Sequence, residues 1–462
     1  MSLETAEQSS IGPLALRAEL VELIRLAWPI IWAQMALVTM GLVDTAILGR
    51  LSVDDLAGAS IGRSIGFGAA SLTMGVAMGL EPLASQALGA GEPARAWGSF
   101  KATLRAGALT WAPMAAIAFG ATLLLGPLGV DAGVIARARW YLLGQLPGLG
   151  LYGVFIAAKT FLQAHGRTRP ALVAALLANA ANLVVCSLLV RGDDALRAVG
   201  LPGAGLPRLG AFGGGLAATI AEVLLVAITM RAAKAAHPSG ATERVPVKTA
   251  MRVGLPVGLQ IFAEIGIFSL VALVSGKLGA AVASAHQIAI GLASFTYMAA
   301  IGVSSATAVR VGRAVGAGTS ARRAGILGIG IGAFVQGLGA IAFALFPRAL
   351  VGVFTADAAV IALGGDLVII ASVFQLFDGV QAVAGGALRG AGDVRFAFAA
   401  NVIAYWALGL PIALWLAFPV GWGARGLWWG MTFGLIAAAI VLAGRFVLLS
   451  ARVIQRIDPQ RA

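Results

Sequence analysis

Six carboxylates in this sequence stand where an ionised side chain has least reason to be. Glu264 lies in the middle of Val253–Ser275, VGLPVGLQIFAEIGIFSLVALVS, which is long and apolar enough to cross a bilayer, a crossing that takes about 20 predominantly apolar residues. Asp378 lies in FQLFDGVQ, Asp44 in MGLVDTAILG, Glu81 in MGLEPLASQ and Glu222 in AATIAEVLL, and Asp366 comes earlier in the apolar run that holds Asp378. A charge at bilayer depth costs at least about 2.5 kcal/mol, so such residues face an internal cavity or a partner and mark ion or substrate paths. Their chemistry is exchange: burial favours the neutral carboxyl and a nearby cation the ionised one. The same oxygens can thus trade a proton for Na⁺ or for an organic cation. Glu264 and Asp378, on different helices of one half of the chain, are candidates for a single site, and Asp44 for another. For Glu81 and Glu222 a structural hydrogen bond or an interfacial position is the simpler reading, and Asp366 stays open.

Polar amides and aromatics accompany these acids. Asn179, Asn182, Gln34, Gln260, Gln287 and Gln375 fall within apolar runs, where uncharged groups coordinate cations or bridge helices. Phe268 follows Glu264 by one helical turn and Phe374 precedes Asp378 by one, so each shares a helix face with its carboxylate. That pairing suits a lipophilic cation, with ordinary core packing as the alternative. Other chemistries have no footing. The chain lacks a G-x-x-x-x-G-K-[ST] loop for ATP. Gly-x-Ser-x-Gly occurs at Gly58–Gly62 and Gly62–Gly66, but inside an expected helical span and not at a strand-to-helix elbow. His165, His237 and His286 have no metal-ligand spacing. No cofactor is expected.

The elements that position these residues follow from composition. Of 462 residues, 59% are hydrophobic and 11% charged, with mean hydropathy +0.92, where soluble domains carry about 25% charge. The apolar runs are continuous rather than alternating, which excludes a transmembrane barrel. They predict an all-α polytopic membrane protein with spans near 26–49, 56–86, 100–125, 135–158, 168–190, 210–233, 251–275, 280–309, 324–346, 358–387, 396–419 and 424–449. The 62 glycines suit close helix approach in lipid. The net charge of +13 does not imply nucleic acid, because the basic residues sit in short loops. Counted by side, 23 of the 33 Lys and Arg residues share the face of the N-terminus, which places both ends in the cytoplasm. Cys186 alone excludes an internal disulfide. The N-terminus shows no presequence pattern, and Glu19–Trp28 reads as an amphipathic lead-in at the interface.

The sequence also repeats itself. Pro29 aligns with Pro256, Gly49-Arg50-Leu51 with Gly276-Lys277-Leu278, and QALGAG at Gln86–Gly91 with RAVGAG at Arg313–Gly318, all at an offset of 227. Leu162, Gly166 and Arg169 align with Leu388, Gly392 and Arg395 at 226. Two six-helix halves of like orientation follow, an architecture of secondary transporters with midplane sites. The expected organisation is a lead-in at 1–25, an N-terminal lobe at 26–233, a linker at 234–250, a C-terminal lobe at 251–449 and a tail at 450–462.

Several stretches resemble the MATE family of multidrug and toxic compound extrusion transporters. They are LVDTAILGRLS, PLASQALGAGEPARA, GLPVGLQIFAEIGIF, AHQIAIGLASFTYMAAIGVSSATAVRVGRAVGAG and FQLFDGVQAVAGGALRGAGDVR. The resemblance implies two pseudo-symmetric six-helix bundles around a central cleft, exporting organic cations against inward Na⁺ or H⁺ at a bacterial inner membrane. It is strongest to the NorM-type branch, whose C-lobe cation site falls on Glu264 and Asp378; these would ligate Na⁺ if sodium couples transport. That site's usual tyrosine is Phe374 here. In the N-lobe the resemblance assigns the first-helix acid to Asp44 and its partner to Asn182, and puts Cys186 where Asp or Asn is frequent. It places Ser64, Phe268, Gln287 and Asp357 along the drug cavity, to which Gln34 and Phe374 are added as candidates.

The expectation is therefore an antiporter, monomeric because the repeat completes the architecture, with small organic cations and the bilayer as partners. Two alternatives are weighed against it. A lipid-linked oligosaccharide flippase would line its cleft with basic residues, whereas Arg63 is the basic residue read as lying well inside a span. A membrane enzyme acting on lipid carriers would need a large polar loop, and none is long enough.

Overall fold

The computed structural model describes residues 13–240 and 243–458. The first part of the lead-in and the last part of the tail lie outside the described residues, as does the expectation about a presequence. Among the described residues, twelve helices are long and apolar enough to span a membrane. They are α1 (Leu16–Gly49), α2 (Val53–Gly89), α3 (Pro93–Leu124), α4 (Ala132–Ala164), α5 (Arg169–Arg191), α6 (Gly210–Lys234), α7 (Val247–Lys277), α8 (Ala280–Gly316), α9 (Arg322–Leu345), α10 (Ala358–Ala391), α11 (Val394–Ala417) and α12 (Gly423–Leu449). Each expected span is present. Several outrun their apolar stretch, α1 and α4 most clearly, because the helical hydrogen-bond ladder continues into polar turns once it is established.

Local chemistry sets the ends. Asp131 and Asp357 cap α4 and α10, each accepting two amides of the first turn, which satisfies donors that a helix start leaves free. Gly392, at φ 89°, closes α10 in the left-handed conformation that glycine adopts without a Cβ penalty. Within α11, Ile403–Gly409 widens into a π turn, a feature common at functional sites. Pro29, Pro113, Pro147 and Pro256 lie inside helices.

The chain forms two compact units. The C-terminal unit joins residues up to Gln34 and Ser85–Glu92 to Ala263–Ile457, and the N-terminal unit comprises Met35–Ala84 with Pro93–Phe262. The first helix of each repeat is thus divided between units, so these boundaries fall within α1 and α7, away from 233 and 251. Packing accounts for the division. In the C-terminal unit the start of α1 runs along α8, where Ile31 meets Gly302 and Arg310 grips Glu19 through Nε at 2.8 Å. In the N-terminal unit the start of α7 lies against α2, where Gly254 and Gly258 meet the backbone of Val76 and Leu72. Large apolar side chains such as Leu109, Ile117, Phe334, Leu345 and Ile440 point outward, as lipid-facing helices require.

Candidate functional site

In the C-terminal unit α7, α8, α10 and α11 bring a ring of oxygen-bearing side chains together. Glu264 on α7 is half-buried and Asp378 on α10 is 9% exposed. Glu264 is the charged group acting on Asp378, and both carboxylates act on Tyr297 of α8 and Tyr405 of α11. Tyr405 sits in the π turn of α11. Its neighbour Trp406 donates its indole N–H to Ala263 O at 3.2 Å, which ties that turn to the residue preceding Glu264. Phe268 meets Phe374 edge-on at 6.3 Å and Tyr405 at 6.2 Å. Phe374 then packs edge-on against Trp428 at 5.9 Å, whose N–H donates to His286 Nδ1 at 3.2 Å. An aromatic wall therefore borders two carboxylates, an arrangement that attracts cations by ring quadrupole and by charge. Below Asp378 on α10, Gln381 donates to Asn401 at 2.7 Å and Arg389 donates to Ser304 at 3.3 Å.

The N-terminal unit holds a second cluster. Asp44 on α1, 3% exposed, accepts from Asn182 Nδ2 on α5 at 2.6 Å and also bonds the Cys186 thiol one turn on. Arg63 on α2 acts on Asp44 while donating to Gly41 O at 3.0 Å and Thr45 Oγ1 at 3.1 Å, around the same turn of α1. Asn179 donates to Ala36 O at 2.6 Å. Glu222 on α6 is 5% exposed and feels Asp44. Tyr141 and Tyr152 of α4 both feel Glu222.

The other expected residues are placed as follows. Ser64 is exposed and bonds Ser60 O. Gln287 is exposed and Gln34 half-buried. Asp357 spends its acceptor on the amides of Ala359 and Val360. Asp366 forms an ion pair with Arg425. Glu81, 1% exposed, interacts with Lys159, 7% exposed. Lys159 and Arg389 are buried while Arg63 is half-buried, so Arg63 is not the one base well inside a span. Lys159 and Arg389 belong to turns of α4 and α10 that extend past the apolar stretches, which is why the sequence placed them in loops.

All four tyrosines of the chain lie within electrostatic reach of acids in the spans, and sequence reasoning singled out none of them. The signal was their scarcity: with 20 phenylalanines available, each hydroxyl kept in an apolar helix needs a polar neighbour.

Comparison with known proteins accords with the repeat and the helical fold. The model of the MatE family matches residues 29–188 and again 256–415, starting at the two prolines that the internal repeat aligns. A probable multidrug resistance protein NorM of Deinococcus radiodurans is 35% identical over 93% of this chain and 95% of its own. One of Pseudomonas aeruginosa is 35% identical over 96% and 92%. In fold, the chain is similar to the eukaryotic MATE transporter AtDTX14, with TM-score 0.83 and 24% identity over 94% of this chain and 96% of the other. It is also similar to the Vibrio cholerae MATE transporter VcmN, with TM-score 0.81 and 20% identity over 95% and 99%.

Proposed function

The chain belongs to the MatE family, and from that membership and the paired carboxylates we propose that it is an antiporter exporting lipophilic organic cations against Na⁺ or H⁺. It is a multi-pass membrane transporter and not an enzyme. The observation that carries the finer reading is the Glu264–Asp378 pair, shared by Tyr297 and Tyr405 and walled by Phe268 and Phe374. Two acids beside one another cannot both stay ionised in a low-dielectric setting without a cation, so the pair holds a coupling ion in one state and releases it in the other. Cation arriving from outside neutralises the carboxylates and favours the state that lets substrate go outward; its departure restores the charge that draws the next organic cation. Ion and substrate need different affinities for the two states, because a ligand shifts an equilibrium only by that difference. Asp44 with Asn182 is a second cation position. The setting is a bacterial inner membrane with both termini cytoplasmic, and one chain suffices because it contains both repeats.

A flippase for anionic lipid carriers would need free basic side chains. Lys159 is engaged with Glu81, Arg389 with Ser304 and Arg63 with Gly41 O and Thr45, so the described bases within the spans already have partners, which counts against that reading. The test is ethidium efflux from loaded vesicles containing the purified protein, with a Na⁺ pulse and a pH pulse applied separately. Efflux driven by one pulse and not by the other supports antiport and names the ion; no efflux under either gradient refutes it.

A further inference from the structure

The N-terminal unit carries one more buried negative charge than it has cations to meet. Asp44 has Asn182, Cys186 and Arg63 around it. Glu222 has none of these: the charged group acting on it is Asp44 itself, and its Oε2 is buried without a hydrogen-bond partner. The titratable groups facing this region are Asp44 from α1, Arg63 from α2, Tyr141 and Tyr152 from α4 and Cys186 from α5. Among them Arg63 acts on Asp44 and Tyr141, so the surplus lies at Glu222. An unpaired buried carboxylate is too costly to persist, and the group takes up a cation instead.

The surroundings select which cation. Glu222 Oε2 lies where a Cβ on Gly148 would fall, directly against the α4 backbone. The hydroxyl beside it is already committed, since Thr219 donates to Gly144 O at 2.7 Å and accepts from Gly148 N at 3.1 Å. With that hydroxyl engaged, the position suits a proton, which needs only the carboxyl oxygen itself, better than a metal cation, which needs several ligands at once. The repeat adds an independent pointer. At the offset of 226 that joins α4 to α10, the position of Asp378 is held in α4 by Tyr152. The acid–tyrosine pairing of the C-terminal unit recurs in the N-terminal unit with the tyrosine on α4 and the acid, Glu222, on α6.

We propose that Glu222 is a second proton-binding carboxyl of the N-terminal unit, loaded and unloaded during the transport cycle in addition to Asp44. This rests on the antiport reading above.

The test uses the full-length protein in liposomes, by two measurements. Infrared spectroscopy follows protonated buried carboxyls across a pH titration. One component is expected to vanish in Glu222→Gln and a different one to change in Asp44→Asn; identical carboxyl bands in wild type and Glu222→Gln overturn the proposal. A lumenal pH dye then counts protons exchanged per ethidium. Glu222→Gln is expected to lower that count by one, and an unchanged count overturns the proposal. Should Glu222→Gln not transport, Glu222→Asp keeps the carboxyl: recovery at the wild-type count supports a proton-binding role, and loss in both variants refutes it. Wild-type protein that moves no ethidium while its Glu222 band still titrates would refute the antiport reading alone, so the two failures are distinguishable.

Discussion

The seam between α2 and the first half of α7 makes a quantitative prediction about how the N-terminal unit is held together. Gly254 and Gly258 stand one turn apart on α7. A Cβ at Gly254 would lie 2.6 Å from Val76 Cα, and one at Gly258 2.6 Å from Leu72 O, where ordinary contact begins at 3.4 Å. Alanine at either position therefore forces the two backbones apart by about 0.8 Å. A gap of that size forfeits about a quarter to a half of the dispersion energy along the seam, and overpacking of this kind costs about 1–3 kcal/mol. Alanine returns roughly 0.5–1 kcal/mol through helix propensity, so each variant should lose up to about 2.5 kcal/mol. The paired variant should lose less than the sum, because the first alanine has already opened the space for the second. Gly68 on α2 has nothing within 4 Å of its Cβ position, and Gly68→Ala should gain the propensity term alone. Denaturant unfolding in detergent micelles, read by fluorescence, measures all four variants. Gly258→Ala as stable as Gly68→Ala, or strict additivity of the pair, would refute the close-approach argument.

Two further outcomes follow from buried and loop charges. Glu81 and Lys159 are a buried pair, and breaking such a pair costs about 3–5 kcal/mol; Glu81→Leu and Lys159→Met should each lose folded yield on size-exclusion chromatography, and the double variant should recover much of it. Equal losses in single and double variants would show that the two do not act as a pair. Asp193, in the loop after α5, accepts from the amides of Ala204 and Leu206 at 3.0 and 2.9 Å and of Gly205 at 3.1 Å. These bonds, that of Leu206 foremost, hold its carboxyl below the usual 3.8. A depressed value in the fold means stability present above the ordinary value and lost as pH falls through the lowered one. Amide exchange at Ala204–Leu206 should be slow at neutral pH, faster in Asp193→Asn, and indifferent to that substitution once strong acid has protonated the wild-type side chain.

Much of this molecule was legible in its sequence because lipid imposes so few solutions. Continuous apolar runs must be helices there, and the paired prolines and Gly-rich turns reveal the repeat. Glu264 and Asp378 stood out because a charge in such a run needs a reason. What periodicity does not encode is which helices a given turn packs against. The division of α1 and α7 between units depends on glycines such as Gly254, Gly258 and Gly302, whose partners are distant in sequence. Tyr297 and Tyr405 were passed over because each looks like one more aromatic residue until the fold brings it within electrostatic reach of Glu264 and Asp378. Cys186 read only as standing where Asp or Asn is frequent, and in the fold its thiol is a partner of Asp44. Lys159 and Arg389 read as loop bases because helix ends in polar sequence are poorly marked.

The central claim is that Glu264 and Asp378 bind the coupling ion. Its most direct test is ion-pulsed ethidium efflux in wild type, Glu264→Gln and Asp378→Asn, each shown to be folded and inserted. The account predicts efflux driven by one ion in wild type and lost in both variants. Efflux that survives both substitutions would contradict it and move coupling to Asp44.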